Sequence, residues 1–312
     1  MTYTTRIAPS PTGLFHLGTA RTAYYSWLAA RASGGRFILR VDDTDAARND
    51  PAYVDVIYDA MNWLGLDHDD LYFQSKRGDI YALALTHLMD ADLAYADDGA
   101  IKLRLPPSMP STWTDSIKGP INISDHDRKL IDGLVLVRSD GSPTYHFASV
   151  VDDIDMKINY VIRGTDHIGN APKHVAIHAA LRAAGYMLPD TAVPLYAHVG
   201  LIDIMKDDGT GTIKRTKMSK RDDSASLLKY RDAGYDSSAM LDYLMRIGWA
   251  HTEHDYQKRV PFIDRDEALA VFLTKGKMRA APSLFDPAYL AKSDRRVKAA
   301  AGVKHYGKGV VA

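Results

Sequence analysis

The chain has 312 residues, 46% apolar and 25% charged, and its 39 basic and 39 acidic side chains balance to zero. Cysteine is absent, which excludes disulfides, thiolate zinc sites and cysteine nucleophiles. No apolar run reaches about 18 residues and the start lacks the basic and apolar segments of a secretory signal, so a cytoplasmic protein without membrane contact is expected.

With no net basic field, any nucleic-acid binding must come from local patches. The most basic stretch is the tail, Lys292, Arg295, Arg296, Lys298, Lys304 and Lys308, which reads equally as a solvated end or an RNA contact. In chain order, residues 3–9 read as a short strand ending in Pro-Ser-Pro-Thr-Gly. A helix then runs from Thr19 to Ser33 and is stopped by Gly34-Gly35. Arg36 to Val41 is a buried-looking apolar strand, which completes a βαβ unit. Helices follow at 51–64 and 78–93.

Residues 96–135 are different in character. They are loop-rich, with Pro106, Pro107, Pro110 and Pro120 and one short strand at 101–105, and read as an insertion between two halves of a nucleotide-binding sheet. The βα pattern resumes with a strand at 134–138, a turn at 139–143, a helix at 145–152, a strand at 159–163, a helix at 170–184 and a strand at 195–202. A loop rich in Gly, Lys and Asp (205–216) leads to Lys217-Met218-Ser219-Lys220-Arg221. The remainder, 224–312, is mostly helical, with turns at Gly234 and Gly248. The expected fold class is α/β: a Rossmann-type parallel sheet with a connective insertion, followed by a mostly helical domain.

Two motifs share one task. In the first, the strand end Arg6-Ile7-Ala8-Pro9-Ser10-Pro11-Thr12-Gly13 runs into His16-Leu17-Gly18-Thr19. Gly13 and Gly18 let backbone approach a ligand, and the helix that follows offers free N–H groups to phosphate. His16 adds a donor where a triphosphate would lie. In the second, Lys217 to Arg221 set two lysines and an arginine on a Gly-flanked loop, where they can close on a triphosphate and stabilise charge on departing pyrophosphate.

The pair resembles the HIGH and KMSKS signatures of class I aminoacyl-tRNA synthetases. RIAPSPTG, HLGTARTA, GGRFILRVDDTD, SPTYHFASVVDD, YVIRGTDH and TKMSKRDD are similar to the glutamyl branch, in order, from residue 5 to about residue 290. The resemblance implies a compact form without the anticodon-binding domain. It divides the chain into a first half of the catalytic domain (1–95), a shortened connective insertion (96–135), a second half with the KMSKR loop (136–222) and a helical stem-contact domain (223–312). It also implies that Arg6, Ala8, Ser10, Asp42, Tyr145, Ser149 and Arg163 bind the amino acid. His16, Gly18, Thr19, Leu201, Ile202, Lys217, Met218, Ser219, Lys220 and Arg221 would bind ATP, with His16, Thr19, Lys217 and Lys220 taking part in catalysis. Arg163 is expected at the glutamate side-chain carboxylate, since a guanidinium fork binds carboxylates bidentately; the bland alternative is a salt bridge to Asp153 or Asp166. Mg²⁺ would travel with ATP, and no zinc is expected.

The resemblance has departures. The family position that contacts the substrate ammonium is usually glutamate, and here Asp42 is one methylene shorter. Only Ala96 to Ala100 stand between Tyr95 and the IKLRLP strand, where the family carries a long insertion. The expected activity is activation of L-glutamate as its adenylate and transfer to the 3′ end of tRNA(Glu), by a monomer that grips the acceptor arm. Two alternatives stay open: a relative that glutamylates queuosine in tRNA(Asp), and activation of glutamate for an acceptor other than tRNA. His174 and His178 have metal-ligand spacing, but without a third ligand they read as a polar helix face. Asp152, Asp153 and Asp155 read as acidic turn residues between a helix and a strand. Asp43 and Asp45 stand between a functional role and helix capping.

Overall fold

The computed structural model describes residues 1–44, 48–188, 191–207, 209–219, 222–251 and 263–300. The chain opens with β1 (Thr5–Ile7), α1 (Leu17–Ala32), β2 (Phe37–Val41), α2 (Pro51–Leu64), β3 (Asp70–Phe73) and α3 (Gly78–Asp90). Parallel strands in the order β1-β2-β3 form one half of the nucleotide-type sheet. Helix α1 is buried along nearly its whole length and has no polar face, so its short alanines let it sit inside the molecule with neighbours on every side. Asp50 caps α2 by accepting from the Ala52 N–H at 2.9 Å, with Pro51 in the first turn and Gly65 in the left-handed conformation closing the end.

The next segment holds β4 (Ala94–Asp97), β5 (Ala100–Leu103), β6 (Thr112–Asp115), β7 (Gly119–Asn122) and α4 (Asp125–Ile131), followed by β8 (Val135–Val137). The expected loop-rich stretch therefore contains two hairpins and a helix. Its strands are only four residues long, too short for a clear local periodicity, and beyond the hairpin pairings β6 is held by the distant β10. Helix α5 (Tyr145–Asp155) leads to β9 (Tyr160–Gly164), α6 (Ala171–Ala183) and β10 (Leu195–Val199). The second sheet has the order β7-β6-β10-β9, with β6, β10 and β9 parallel. Asn159 and Tyr160 N–H groups donate to Thr4 O, which sets β9 beside β1 and makes the two sheets neighbours.

The 205–216 stretch is an antiparallel hairpin, β11 (Ile202–Asp207) with β12 (Ile213–Lys217), rather than the expected loop. Lys217 is its last strand residue. The helical remainder contains α7 (Leu227–Asp232), α8 (Ser237–Arg246), β13 (Trp249–His251), α9 (Arg265–Val271), β14 (Gly276–Met278), β15 (Ser283–Leu284) and α10 (Pro287–Ala300). Strand β15 pairs in parallel with β11, Ile202 opposite Ser283, so the C-terminal part completes the hairpin's sheet. Two hydrophobic cores result. One joins Leu17, Tyr24, Tyr25 and Leu28 of α1 to Met240, Leu244 and Met245 of α8 and to Phe272. The other packs Tyr81, Leu88, Phe147, Val151, Ile177 and Leu181 together with Trp113 and Leu136. No helix among the described residues is long and apolar enough to cross a membrane.

Candidate active site

The carboxyl ends of β1, β2 and β9 and the N-terminus of α1 face one cleft of about 460 Å³. Arg6, Ala8, Ser10, Asp42, Tyr145 and Arg163 line it, as do His16, Gly18, Thr19, Leu201, Ile202, Lys217 and Met218. Residues scattered over more than two hundred positions thus meet at the strand ends, where an open α/β sheet binds its ligands. Ser149 is buried on α5 and does not itself line the cleft. Ser219 also stands off it, with its N–H and hydroxyl donating to Asp222 Oδ2 at 2.7 and 2.9 Å. Lys220, Arg221 and Asp45 lie outside the described residues.

At the end of the cleft beside α1, His16 is the N-cap of that helix. Its Nδ1 accepts from the Thr19 N–H at 3.2 Å, which leaves the ring hydrogen on Nε2, 2.9 Å from Thr19 Oγ1. The imidazole folds over the first turn, so a Cβ at Gly18 would lie 3.0 Å from ring atoms Cε1 and Nδ1. A larger residue there would crowd the histidine ring, which would have to give by a few tenths of an ångström. Gly13 has no atom within 4 Å of a virtual Cβ, so no protein contact demands a glycine at that position. Lys217 Nζ donates to Asp166 Oδ2 at 3.2 Å. Burial would raise the Asp166 carboxyl, but the His167 charge and Lys217 outweigh it and hold it below its usual range.

The opposite end is built on buried charge. Asp153 Oδ1 accepts from Arg6 Nε at 3.1 Å and from an Arg40 terminal amino group at 2.8 Å. Asp152 accepts from Gln74, Arg77 and the Tyr81 hydroxyl. Both aspartates lie inside α5 and are almost completely buried, so the expected turn is in fact the last part of a helix whose acidic side chains hold arginines. Arg40 Nε also donates to Asp42 Oδ1 at 2.7 Å. Burial pushes the Asp42 carboxyl up to about 6 despite the Arg40 charge and hydrogen bond. Arg40 stands in the apolar RFILRV strand; a charge in such a run was the sequence signal for this network. Asp43 accepts from the Ser75 N–H and hydroxyl at 2.8 and 2.6 Å, while Asp50, not Asp43, caps the following helix.

Arg163 forms neither of the salt bridges that were its bland alternative. Its Nε donates to His198 Nε2 at 2.9 Å, and its guanidinium carbon sits 5.3 Å from the centre of the Tyr196 ring. Both terminal amino groups, Nη1 and Nη2, are buried without a hydrogen-bond partner. Such donors are costly to leave unpaired, and a carboxylate would satisfy both at once. Sequence reasoning missed His198 and Asp115, which support this arginine, and Arg21. Arg21 is a fully buried cleft residue on α1 whose amino groups reach Ile247 O at 2.6 Å and Gly200 O. His174 and His178 are buried rather than on a polar face, and His174 Nε2 lies 3.3 Å from His146 Nδ1.

Comparison with known proteins agrees with this geometry. Residues 2–100 and 98–290 match the family model of tRNA synthetases class I (E and Q), catalytic domain. A glutamate–tRNA ligase of Francisella philomiragia subsp. philomiragia is 37% identical over 322 aligned positions, covering 91% of this chain and 63% of that protein. The chain thus spans 63% of the length of this curated relative. A crystal structure of a glutamate tRNA ligase from Elizabethkingia meningosepticum, in complex with its amino acid, superposes with a TM-score of 0.78 at 25% identity, over 96% of this chain and 70% of that one. A glutamate–tRNA synthetase from Elizabethkingia anophelis gives 0.76 at 24% identity, over 98% of this chain and 76% of that one, a likeness of fold. The match to the family model takes in every strand end that lines the cleft, and the chain belongs to the class I tRNA synthetases of the E and Q group.

Proposed function

We propose that the chain activates L-glutamate with ATP as glutamyl-adenylate and passes it to the 3′ end of tRNA(Glu). The observation that carries this reading is the buried Arg163 fork, whose Nη1 and Nη2 have no partner in the cleft wall. A glutamate side-chain carboxylate supplies two acceptors in one plane, whereas a glutamine amide supplies one acceptor and sets a donor against a donor. Tyr145, Ser10, Ala8 and Arg6 complete the amino-acid side, with Ser149 buried behind them on α5. Asp42 offers a carboxylate to the substrate ammonium while also accepting from Arg40. His16, Gly18 and Thr19 meet the phosphates at the helix N-terminus, and the backbone at Leu201 and Ile202 flanks adenine. Lys217, Met218, Ser219, Lys220 and Arg221 close on the β and γ phosphates. Mg²⁺ enters with ATP, bound to its phosphate oxygens.

A glutamate α-carboxylate oxygen attacks the α-phosphorus of ATP and pyrophosphate leaves. The terminal ribose hydroxyl of the tRNA then attacks the adenylate carbonyl carbon and AMP leaves. No covalent enzyme intermediate is required, so the chain's part is positioning and electrostatic stabilisation. The acceptor arm is the expected contact, with residues 223–312 as a stem-contact domain and 96–135 as the connective segment between 1–95 and 136–222. The test is ATP–pyrophosphate exchange with glutamate and with glutamine, each with and without tRNA, followed by charging of tRNA(Glu). Exchange that glutamine supports as well as glutamate would overturn the assignment.

A further inference from the structure

Arg163 is held from behind by a chain of hydrogen bonds that starts in the connective segment. Asp115 ends β6 and is fully buried. One of its oxygens accepts the N–H groups of Ile117 and Lys118, both at 2.9 Å. The other accepts the main-chain N–H of His198 at 3.0 Å and the His198 ring at Nδ1, 2.6 Å away. Burial would raise this carboxyl, but the His198 bond and the backbone bonds outweigh it and hold it below its usual range. An ionised carboxylate only accepts, so Nδ1 carries the imidazole hydrogen. Nε2 is left with its lone pair, and it is this atom that meets the Arg163 Nε–H at 2.9 Å. Each donor along the chain faces one acceptor. His198 is itself fully buried, stacked at 6.1 Å on Tyr196, the ring over which the Arg163 guanidinium lies.

The interposed imidazole has an electrostatic consequence. A carboxylate placed directly on the guanidinium would satisfy its fork and cancel its charge. Asp115 instead reaches Arg163 only through a neutral ring, which pins Nε and leaves Nη1 and Nη2 without a carboxylate bonded to them. We propose that Asp115 and His198 are positioning residues for substrate selection: they fix a neutral, Nδ1-protonated imidazole that aims the Arg163 fork at the substrate's side-chain carboxylate. This rests on the reading of Arg163 given under Proposed function. Neither residue touches substrate. Loss of the relay lets the fork rotate, or turns a protonated ring nitrogen against the Arg163 Nε–H.

The test uses two isosteric halves of the ring. A glutamine amide reaches the position of Nε2, so His198→Gln keeps an acceptor for Arg163. An asparagine amide reaches only the position of Nδ1, so His198→Asn keeps the bond to Asp115 and loses the one to Arg163. Glutamate-dependent ATP–pyrophosphate exchange, with tRNA present, gives KM for glutamate and for ATP, and thermal melting monitors the fold. His198→Asn and Asp115→Asn are expected to raise the KM for glutamate on the order of tenfold or more, with the KM for ATP within about threefold of the parent. His198→Gln, which keeps the acceptor for Arg163 but loses the bond to Asp115, is expected to fall between the parent and His198→Asn in the KM for glutamate, with the KM for ATP near the parent. Equal behaviour of the Asn and Gln variants, or a parallel rise in the two KM values, overturns the relay. Arg163→Met is the control. A parental glutamate KM in that variant would refute the carboxylate reading itself, whereas a large loss there beside a parental His198→Asn would refute only the relay.

Discussion

Arg163→Met keeps most of the side-chain bulk and removes every donor. A bound glutamate would then bury its carboxylate without a partner, at a loss of about 3–5 kcal/mol. At about 1.4 kcal/mol per decade, kcat/KM for glutamate should fall by roughly 100-fold to several thousand-fold. Stability should respond quite differently. Without ligand, Nη1 and Nη2 are already buried and unpaired, and each such donor costs about 1–3 kcal/mol that the variant no longer bears. Against this, the variant gives up the Nε bond to His198 and the contact with the Tyr196 face, about 1 kcal/mol or somewhat more each. The opposed terms are of similar size, so the unfolding free energy should shift by less than about 2 kcal/mol in either direction. Glutamate should raise the melting temperature of the parent and leave that of the variant unchanged. Steady-state exchange at varied glutamate and ATP, with melting curves in parallel, makes the measurement. A variant with parental kcat/KM for glutamate, or with an equal loss toward ATP, would refute the reasoning.

Lys217→Ala should lower the exchange kcat about 100-fold with a smaller change in ATP affinity, because its charge matters most as pyrophosphate departs; equal losses in both would reduce it to a ground-state phosphate ligand. The Asp42 carboxyl, pushed up to about 6, should make kcat/KM for glutamate fall as pH drops through that value, since only the ionised form attracts the ammonium. Asp42→Asn should be weaker and flat over the same window, and a parental pH profile in that variant would exclude the contact. The stability sign is opposite: this raised carboxyl favours the fold most in acid, and its contribution is lost as pH climbs from the ordinary 3.8 to about 6. Gly18→Ala should change the melting temperature little, the roughly 1 kcal/mol helix preference of alanine being offset by the disturbed His16 cap. The same change should depress exchange by pushing the His16 ring off Thr19; a parental exchange rate would show that the ring's pose is immaterial.

The βα units were legible because their signals are local: apolar runs such as Phe37 to Val41, stop signals such as Gly34, and the Asp50-Pro51 helix start. The cleft was legible because its residues cluster in short motifs at strand ends. What escaped was what depends on distant partners. Thr112 to Asp115 is a strand because β7 and β10 flank it, and the Asp115–His198 bond spans 83 positions of chain. Asp152 and Asp153 resembled turn residues because nothing nearby in the sequence shows that Arg6, Arg40 and Arg77 converge on them. The β11–β12 hairpin did carry a local sign, a glycine-rich turn preceded by Ile202 and Ile204 alternating with Asp203. The density of charge concealed it.

Strand β15 has a practical consequence for dissecting the molecule. Its two residues cover the edge of β11, where the Ser283 and Phe285 N–H groups donate to Leu201 O and Asp203 O at 2.9 and 2.7 Å. Gly200 presses against the same returning segment so closely that a Cβ there would lie 2.1 Å from Ala281 O. Severing the chain after Asp222 would therefore not release a free-standing N-terminal part. It would bare an open strand edge beside Ile202 and Ile204, the kind of surface that recruits further copies into aggregates. A soluble fragment for spectroscopy or crystallisation would need residues 276–290 returned, either by fusion or as a separate peptide that docks along β11.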